Sequence, residues 1–350
     1  MRRAIQFRLR HWLALGLLAL PRLLLAQEGW PTGHYPLPEQ GDIVGRIQTV
    51  EADQEDTLIG IGLDHGVGYN AIRLANPDTR VWLPGAGTQV TLPTRYILPP
   101  GPREGIVVNL AEMRLYYYPQ SGQGETPRVE SYPIGIGRMD WQTPLGTTQV
   151  TTKLVNPAWY PPDSIIQERA ARGEHLPQVV PPGPDNPLGK HAMMLDIPGY
   201  LIHGTNRPQG VGMRVSHGCI RMLPDDIAAL VQRVPKGTQV RLIDEPVKLG
   251  WTHQGTLQVQ AYPIPETTPE EMAKRVDAAF AAATEAANKR GFLVDYARLK
   301  AIVEDPNGMP QPLLLAGAPI EIPYHFYDQI PVDPVLYSLV DANQAATTEE

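Results

Sequence analysis

Cysteine is nearly absent: the 350 residues contain one, Cys219. No intramolecular disulfide is therefore possible. Charge is sparse as well, with Asp, Glu, Lys and Arg together at 19% and a formal net charge of −7. That composition excludes extended disorder, which needs high charge and few apolar residues. It also supplies no basic stripe, so nucleic acid is not an expected partner. No apolar run is long enough for a membrane span: residues 12–20 and 23–25 are apolar, but Pro21 and Arg22 interrupt them, short of the ~20 residues needed. Internal repeats are missing, which excludes a solenoid. Proline and glycine, in contrast, are plentiful at 37 and 32 residues. They imply turns, bounded strands and stiff connections rather than long helices. With 42% hydrophobic residues and this length, two or three packed domains are expected.

The start of the chain has its own logic. Arg2, Arg3, Arg8 and Arg10 precede a short apolar core that runs into Ala26. This predicts a secretory signal peptide over residues 1–26, and no membrane span once it is cleaved. No Cys stands directly after the cleavage site, so a lipid anchor is not expected. In an exported protein cysteines usually pair, so a lone thiol is either a buried bystander or a reactive group.

Residues 27–41 are Pro/Gly-rich and aperiodic, and read as a linker. Residues 42–99 give a β-α-α-β order: a β-like run (Ile43, Val44, Ile47, Val50), helices from Thr57 and from Tyr69, and a returning strand with Val90 and Leu92. From residue 104 to 244 the pattern is mostly β. Residues 106–110 and 113–118 flank Ala111-Glu112 as a hairpin. Further strand-like runs cover 128–136, 146–154, 192–195, 200–203 and 238–243. Ile227, Leu230, Val231 and Val234 form one helical face. Residues 157–189 make a long Pro-rich passage, and long loops in compact domains are usually lids or binding elements. Residues 245–350 form a different region, partly helical: Thr268-Pro269-Glu270-Glu271 carries an N-cap, Pro at the first helical position and acids in the first turn.

One segment stands apart, from Tyr200 to Met222: Y-L-I-H-G-T-N-R-P-Q-G-V-G-M-R-V-S-H-G-C-I-R-M. A free thiol ionises near ~8.5 and needs a base or a positive neighbour to act as nucleophile at neutral pH. His203, sixteen residues upstream at the end of an apolar strand, and His217, two residues away, are the candidates. Gly218 permits a sharp turn that exposes consecutive N–H groups, as an oxyanion hole requires. Arg221 can bind a carboxylate bidentately. A buried, inert Cys remains open on these residues alone. A zinc site is disfavoured, because the spacing fits no zinc pattern and a fourth ligand is missing. A papain-like order is also disfavoured, since here the His precedes the Cys.

H-G-T from His203, followed by S-H-G-C-I-R-M from Ser216, resembles the signature of L,D-transpeptidases with a YkuD-like catalytic domain. So do G-I-V-V-N-L-A-E-M-R-L-Y-Y-Y from Gly105, P-I-G-I-G from Pro133, T-P-L-G from Thr143 and G-P-D-N-P-L-G from Gly183. The resemblance implies a mostly β catalytic domain, with a small α/β LysM-like module upstream over residues 42–99. It implies that Cys219 attacks the third residue of a peptidoglycan tetrapeptide stem and releases D-alanine. His203 would serve as base, oriented by the Gly204 carbonyl or Thr205. The Gly218 and Cys219 amides would hold the oxyanion, with His217 assisting and Ser216 completing the block. Arg221 would hold a diaminopimelate carboxylate. The acceptor would be an amine of another stem or the C-terminal lysine of an outer-membrane lipoprotein. The resemblance further implies a periplasmic protein without metal or cofactor, acylated by carbapenems. An L,D-carboxypeptidase or a lipoprotein-link amidase, with water as acceptor, would use the same machinery. A non-catalytic peptidoglycan-binding scaffold is the alternative of another class.

Overall fold

The computed structural model describes residues 30–313. The expected signal peptide and the last part of the C-terminal region lie outside them. The first strand falls in the expected linker: β1 (His34–Pro36) is three residues long and Pro-bounded, too short to leave a period in the sequence.

The small module alternates as its residues predict. β2 (Ile43–Gly45) and β3 (Gln48–Glu51) divide the first β-like run. Helix α1 (Leu58–Asp64) starts behind Thr57, whose hydroxyl accepts the Gly60 N–H at 2.9 Å. This N-cap satisfies one of the donors a helix start leaves unpaired. Helix α2 (Tyr69–Ala75) ends at Asn76. The buried Asn76 amide donates to the carbonyls of Ile72 and Thr91 and accepts the Thr91 N–H, tying the helix to β4 (Gln89–Leu92). β4 pairs with β3, and β5 (Arg95–Ile97) pairs with β2. Leu58, Ile61, Ile72, Val90 and Leu92 fill the space between.

The next strands form one sheet. They are β6 (Gly105–Asn109), β7 (Arg114–Tyr118), β8 (Arg128–Gly137), β9 (Gly146–Val155), β10 (His191–Leu195), β11 (Leu201–His203), β12 (Arg214–Ser216), β13 (Ile220–Met222) and β14 (Gln239–Ile243). The β6–β7 hairpin turns through four residues rather than the two expected, with Met113 at φ 53° closing it. Its order runs β8-β13-β11-β10-β9-β14-β6-β7, and β7 also pairs with β8, so the sheet closes on itself. β1 and β12 add to it through β8. Closure removes the exposed edges an open sheet would leave. Ile106, Leu115, Ile134, Met193, Ile202, Ile220 and Leu242 supply the core, and helix α4 (Pro224–Arg233) lays Ile227, Leu230 and Val231 on it.

Beyond β1, other elements were not anticipated. The passage 157–189 carries helix α3 (Asp163–Ala171), of which only Ile165 is buried. A helix held by one apolar residue shows no periodic stripe. The C-terminal region holds the expected helix, α5 (Pro269–Asn288), with a reciprocal capping box between Thr268 and Glu271, and a second, α6 (Tyr296–Glu304). It also holds a three-stranded sheet of β15 (Val247–Trp251), β16 (Leu257–Ala261) and β17 (Gln311–Pro312).

Candidate active site

The site is built on two adjacent strands. β11 and β13 run parallel, with Ile202 opposite Ile220 and His203 opposite Arg221. Side chains alternate across a strand, and both isoleucines are buried in the core. His203 and Arg221 therefore share the opposite face, and so does Cys219, two residues before Arg221. The resemblance set these three together; the register explains how the fifteen residues between His203 and Cys219 bring them to one surface.

The turn before Cys219 is held by side chains. The Ser216 hydroxyl donates to the Cys219 carbonyl at 2.6 Å, and the Thr143 hydroxyl donates to the Gly218 carbonyl at 2.8 Å. Gly218 sits at φ 98°, and a Cβ there would lie 2.9 Å from the Tyr200 ring. Backbone conformation and close approach both require glycine at this point.

The imidazole of His203 is buried, and its Nδ1 lies 2.6 Å from the Gly204 carbonyl. Nδ1 must carry the proton for that bond, which leaves Nε2 as the basic nitrogen. Burial and then the Arg221 charge bring its pKa down to about 4, while the Gly204 and Leu188 carbonyls push the other way. Thr205 does not touch the ring through its hydroxyl, which accepts the Arg207 N–H at 2.9 Å. Cys219 is half-buried and its Sγ donates to the Gly199 carbonyl at 3.5 Å. Burial raises the thiol pKa, and a backbone hydrogen bond from Leu201 and the Arg221 charge lower it. Thiol and imidazole are thus both uncharged at neutral pH, which suits a base that takes the proton as attack begins.

His217 is engaged elsewhere. Its Nε2 lies 2.8 Å from a Glu168 carboxylate oxygen on α3, and Trp141 packs edge-on against the ring at 5.1 Å. Glu168 also accepts from Arg138 at 3.0 Å and from Arg172 at 2.5 Å. No local signal in the sequence marks Glu168, which lies 49 residues from its histidine.

These groups line a cavity of about 1090 Å³. His203, His217, Cys219 and Arg221 line it with Met194, Leu201 and Val215, and the passage 157–189 contributes Trp159, Tyr160, Ile165 and Leu176. Among the described residues no cluster of His, Cys, Asp and Glu is arranged to hold a metal ion.

Comparison with known proteins shows the family. Residues 103–242 match the L,D-transpeptidase catalytic domain, YkuD. The "Probable L,D-transpeptidase ErfK/SrfK" of Escherichia coli (strain K12) is 41% identical over 281 residues, covering 79% of this chain and 89% of that protein. The "Probable L,D-transpeptidase YcfS" of the same organism is 42% identical over 245 residues, covering 68% of this chain and 75% of that protein. The NMR structure of the catalytic domain from the E. faecium L,D-transpeptidase is 24% identical, covers 41% of this chain and all of that one, and superimposes with a TM-score of 0.30. With two such relatives matched over most of their length, the chain belongs to the L,D-transpeptidase family.

Proposed function

We propose that the chain moves the acyl part of a peptidoglycan tetrapeptide stem onto an amine through a thioester on Cys219. The observation that carries this reading is the shared face of β11 and β13, where Cys219 and a neutral, Gly204-oriented His203 meet at one cavity. His203 Nε2 takes the thiol proton as Sγ attacks the carbonyl of the third stem residue. The tetrahedral oxyanion is held by the Gly218 and Cys219 amides, in a turn whose carbonyls are tied back by Thr143 and Ser216. The C–N bond then breaks, and D-alanine leaves with the proton that His203 returns. An acceptor amine attacks the thioester, gives its proton to His203, and the thiolate is reprotonated. Arg221 holds the diaminopimelate carboxylate of the acyl part. His217 takes a structural share, fixing the turn to α3 through Glu168, rather than the oxyanion role the resemblance implies.

The acceptor is a second stem or the C-terminal lysine of an outer-membrane lipoprotein, and the site is periplasmic and open to carbapenems. Residues 42–99 act as a LysM-like glycan-binding module. Their β-α-α-β order supports this, as does an exposed apolar pair, Trp82 and Leu83, between α2 and β4. Residues 104–244 form the catalytic domain, and residues 245–350 an extension. No helix among the described residues is long and apolar enough to cross a membrane. The test is incubation with a tetrapeptide muropeptide, alone and with the lipoprotein's C-terminal peptide. Free D-alanine with a cross-linked or peptide-linked product supports the reading. D-alanine with only tripeptide stem points to water as acceptor, and no D-alanine at all sinks it.

A further inference from the structure

Among the described residues the cavity beside Cys219 contains an unusual charge balance. Five arginines line it, with Asp185 the one carboxylate among the lining residues. Three of the five are satisfied by carboxylates of the protein: Arg138 and Arg172 by Glu168, and Arg169 by Glu174. Arg207 and Arg221 have no acidic partner among the described residues. The Arg221 Nε is sealed from solvent without a hydrogen bond. Arg207 is exposed at the rim, in the loop between β11 and the Pro208–Gly210 turn. Both line the same cavity, and burial first and then the Arg207 charge lower the Arg221 pKa. Two like charges facing one cavity repel, and a ligand bearing two anionic groups relieves that repulsion.

On the proposed function, a donor stem has two carboxylates flanking the scissile bond: one on the diaminopimelate, one at the end of the leaving D-alanine. The diaminopimelate stays on the enzyme through the thioester, so its carboxylate suits the more buried Arg221. The D-alanine must depart to solvent after the first step, so its carboxylate suits the exposed Arg207. We infer that Arg207 reads the free terminal carboxylate of the donor, selecting stems in which the fourth residue is the last. Arg207 thus acts in specificity rather than in bond making. This rests on the proposed function and adds to it the side chain that reads the donor's chain end.

The inference predicts an interaction between one side chain and one substrate group. Initial rates of acyl-enzyme formation would be measured for wild type, Arg207→Ala and Arg207→Lys on a tetrapeptide donor ending in free D-alanine and on one ending in D-alaninamide. For wild type, amidation is expected to lower kcat/KM roughly tenfold, mostly through KM. Arg207→Ala is expected to lose the same factor on the free acid and to show almost no discrimination, with Arg207→Lys between them. Alkylation of Cys219 by iodoacetamide, an uncharged probe, would report whether the thiol site is intact. An equal loss on both donors, or a coupling that follows amidation of the diaminopimelate carboxylate instead, overturns the assignment. Wild type that forms no acyl-enzyme with either donor overturns the proposed function itself, and the Arg207 role with it.

Discussion

At the scale of single residues the proposed mechanism turns on how His203 is kept uncharged. Its burial and the nearby Arg221 guanidinium bring the imidazole pKa down to about 4 from an ordinary value of 6.5. The base is therefore available across the whole neutral range and is lost only when acid protonates it. The acid limb of the pH profile of kcat/KM should lie near pH 4, with a plateau through pH 6.5. A midpoint at 6.5 would show that the ring is solvated in the free enzyme. The same shift bears on stability. A ring that resists protonation when folded but accepts a proton when unfolded makes the native state less stable as pH falls from 6.5 toward 4. Cys219, His203, Gly204, Gly218 and Ser216 were all legible in the sequence because they lie in one short segment, although Thr143, which holds the Gly218 carbonyl, lies 75 residues away. The partner of His217 was not, since a carboxylate 49 residues away carries no local mark. Arg207 had a weaker mark, as a cation inside the glycine-rich loop, and that it lines the same cavity as Arg221 is evident only in the folded chain.

At the scale of elements, Glu168 is what ties helix α3 of the passage 157–189 to its surroundings. Helix α3 buries one apolar side chain, so packing alone holds it weakly. The Glu168 carboxylate, reaching both Arg138 and His217, fastens it beside the turn that carries Cys219. Glu168→Ala should free the helix. We expect KM for the stem donor to rise roughly threefold to tenfold with a smaller change in kcat, and limited proteolysis to cut first within residues 163–174. Unchanged KM and unchanged cleavage would show that α3 is held by other contacts. Glu168→Gln, which keeps a hydrogen-bonding side chain, should fall between. Sequence patterning found the strands of the β6–β7 hairpin, α4 and α5 because each has a strong period or cap. It missed α3, which lacks a stripe, and β1, which has three residues. The turn between β6 and β7 was placed correctly but shortened, since the left-handed Met113 that closes it is not a residue type that signals φ above zero.

At the scale of the whole molecule, one buried ion pair joins three stretches of chain. Lys248 Nζ on β15 lies 2.7 Å from Glu112 in the β6–β7 turn and also donates to the Ile97 carbonyl at the end of β5. Tyr116 and Tyr262 donate to the same carboxylate. Gln260 adds a hydrogen bond to the Ile97 N–H at 2.8 Å. The pair thereby ties the C-terminal region to the catalytic sheet and to the small module, beside the Asp42–Trp251 and Asn109–Glu245 hydrogen bonds. Deleting one member strands a buried charge, so Lys248→Ala should destabilise the protein by about 3–5 kcal/mol in urea unfolding. The paired change Lys248→Met with Glu112→Gln should restore most of that loss. A single variant as stable as wild type would show that the pair is hydrated rather than buried. None of this was legible beforehand: Lys248 and Glu112 are 136 residues apart. Closure of the sheet through β7 and β8 is likewise a property of long-range pairing, not of any local pattern.

The central claim is that Cys219 carries the acyl group. Peptide mapping of the enzyme quenched during turnover of a tetrapeptide muropeptide tests it directly. The predicted result is a Cys219-containing peptide heavier by the stem less its terminal D-alanine, with no such adduct and no D-alanine release from Cys219→Ala. D-alanine release by Cys219→Ala at the wild-type rate, or an adduct on any other residue, would contradict it.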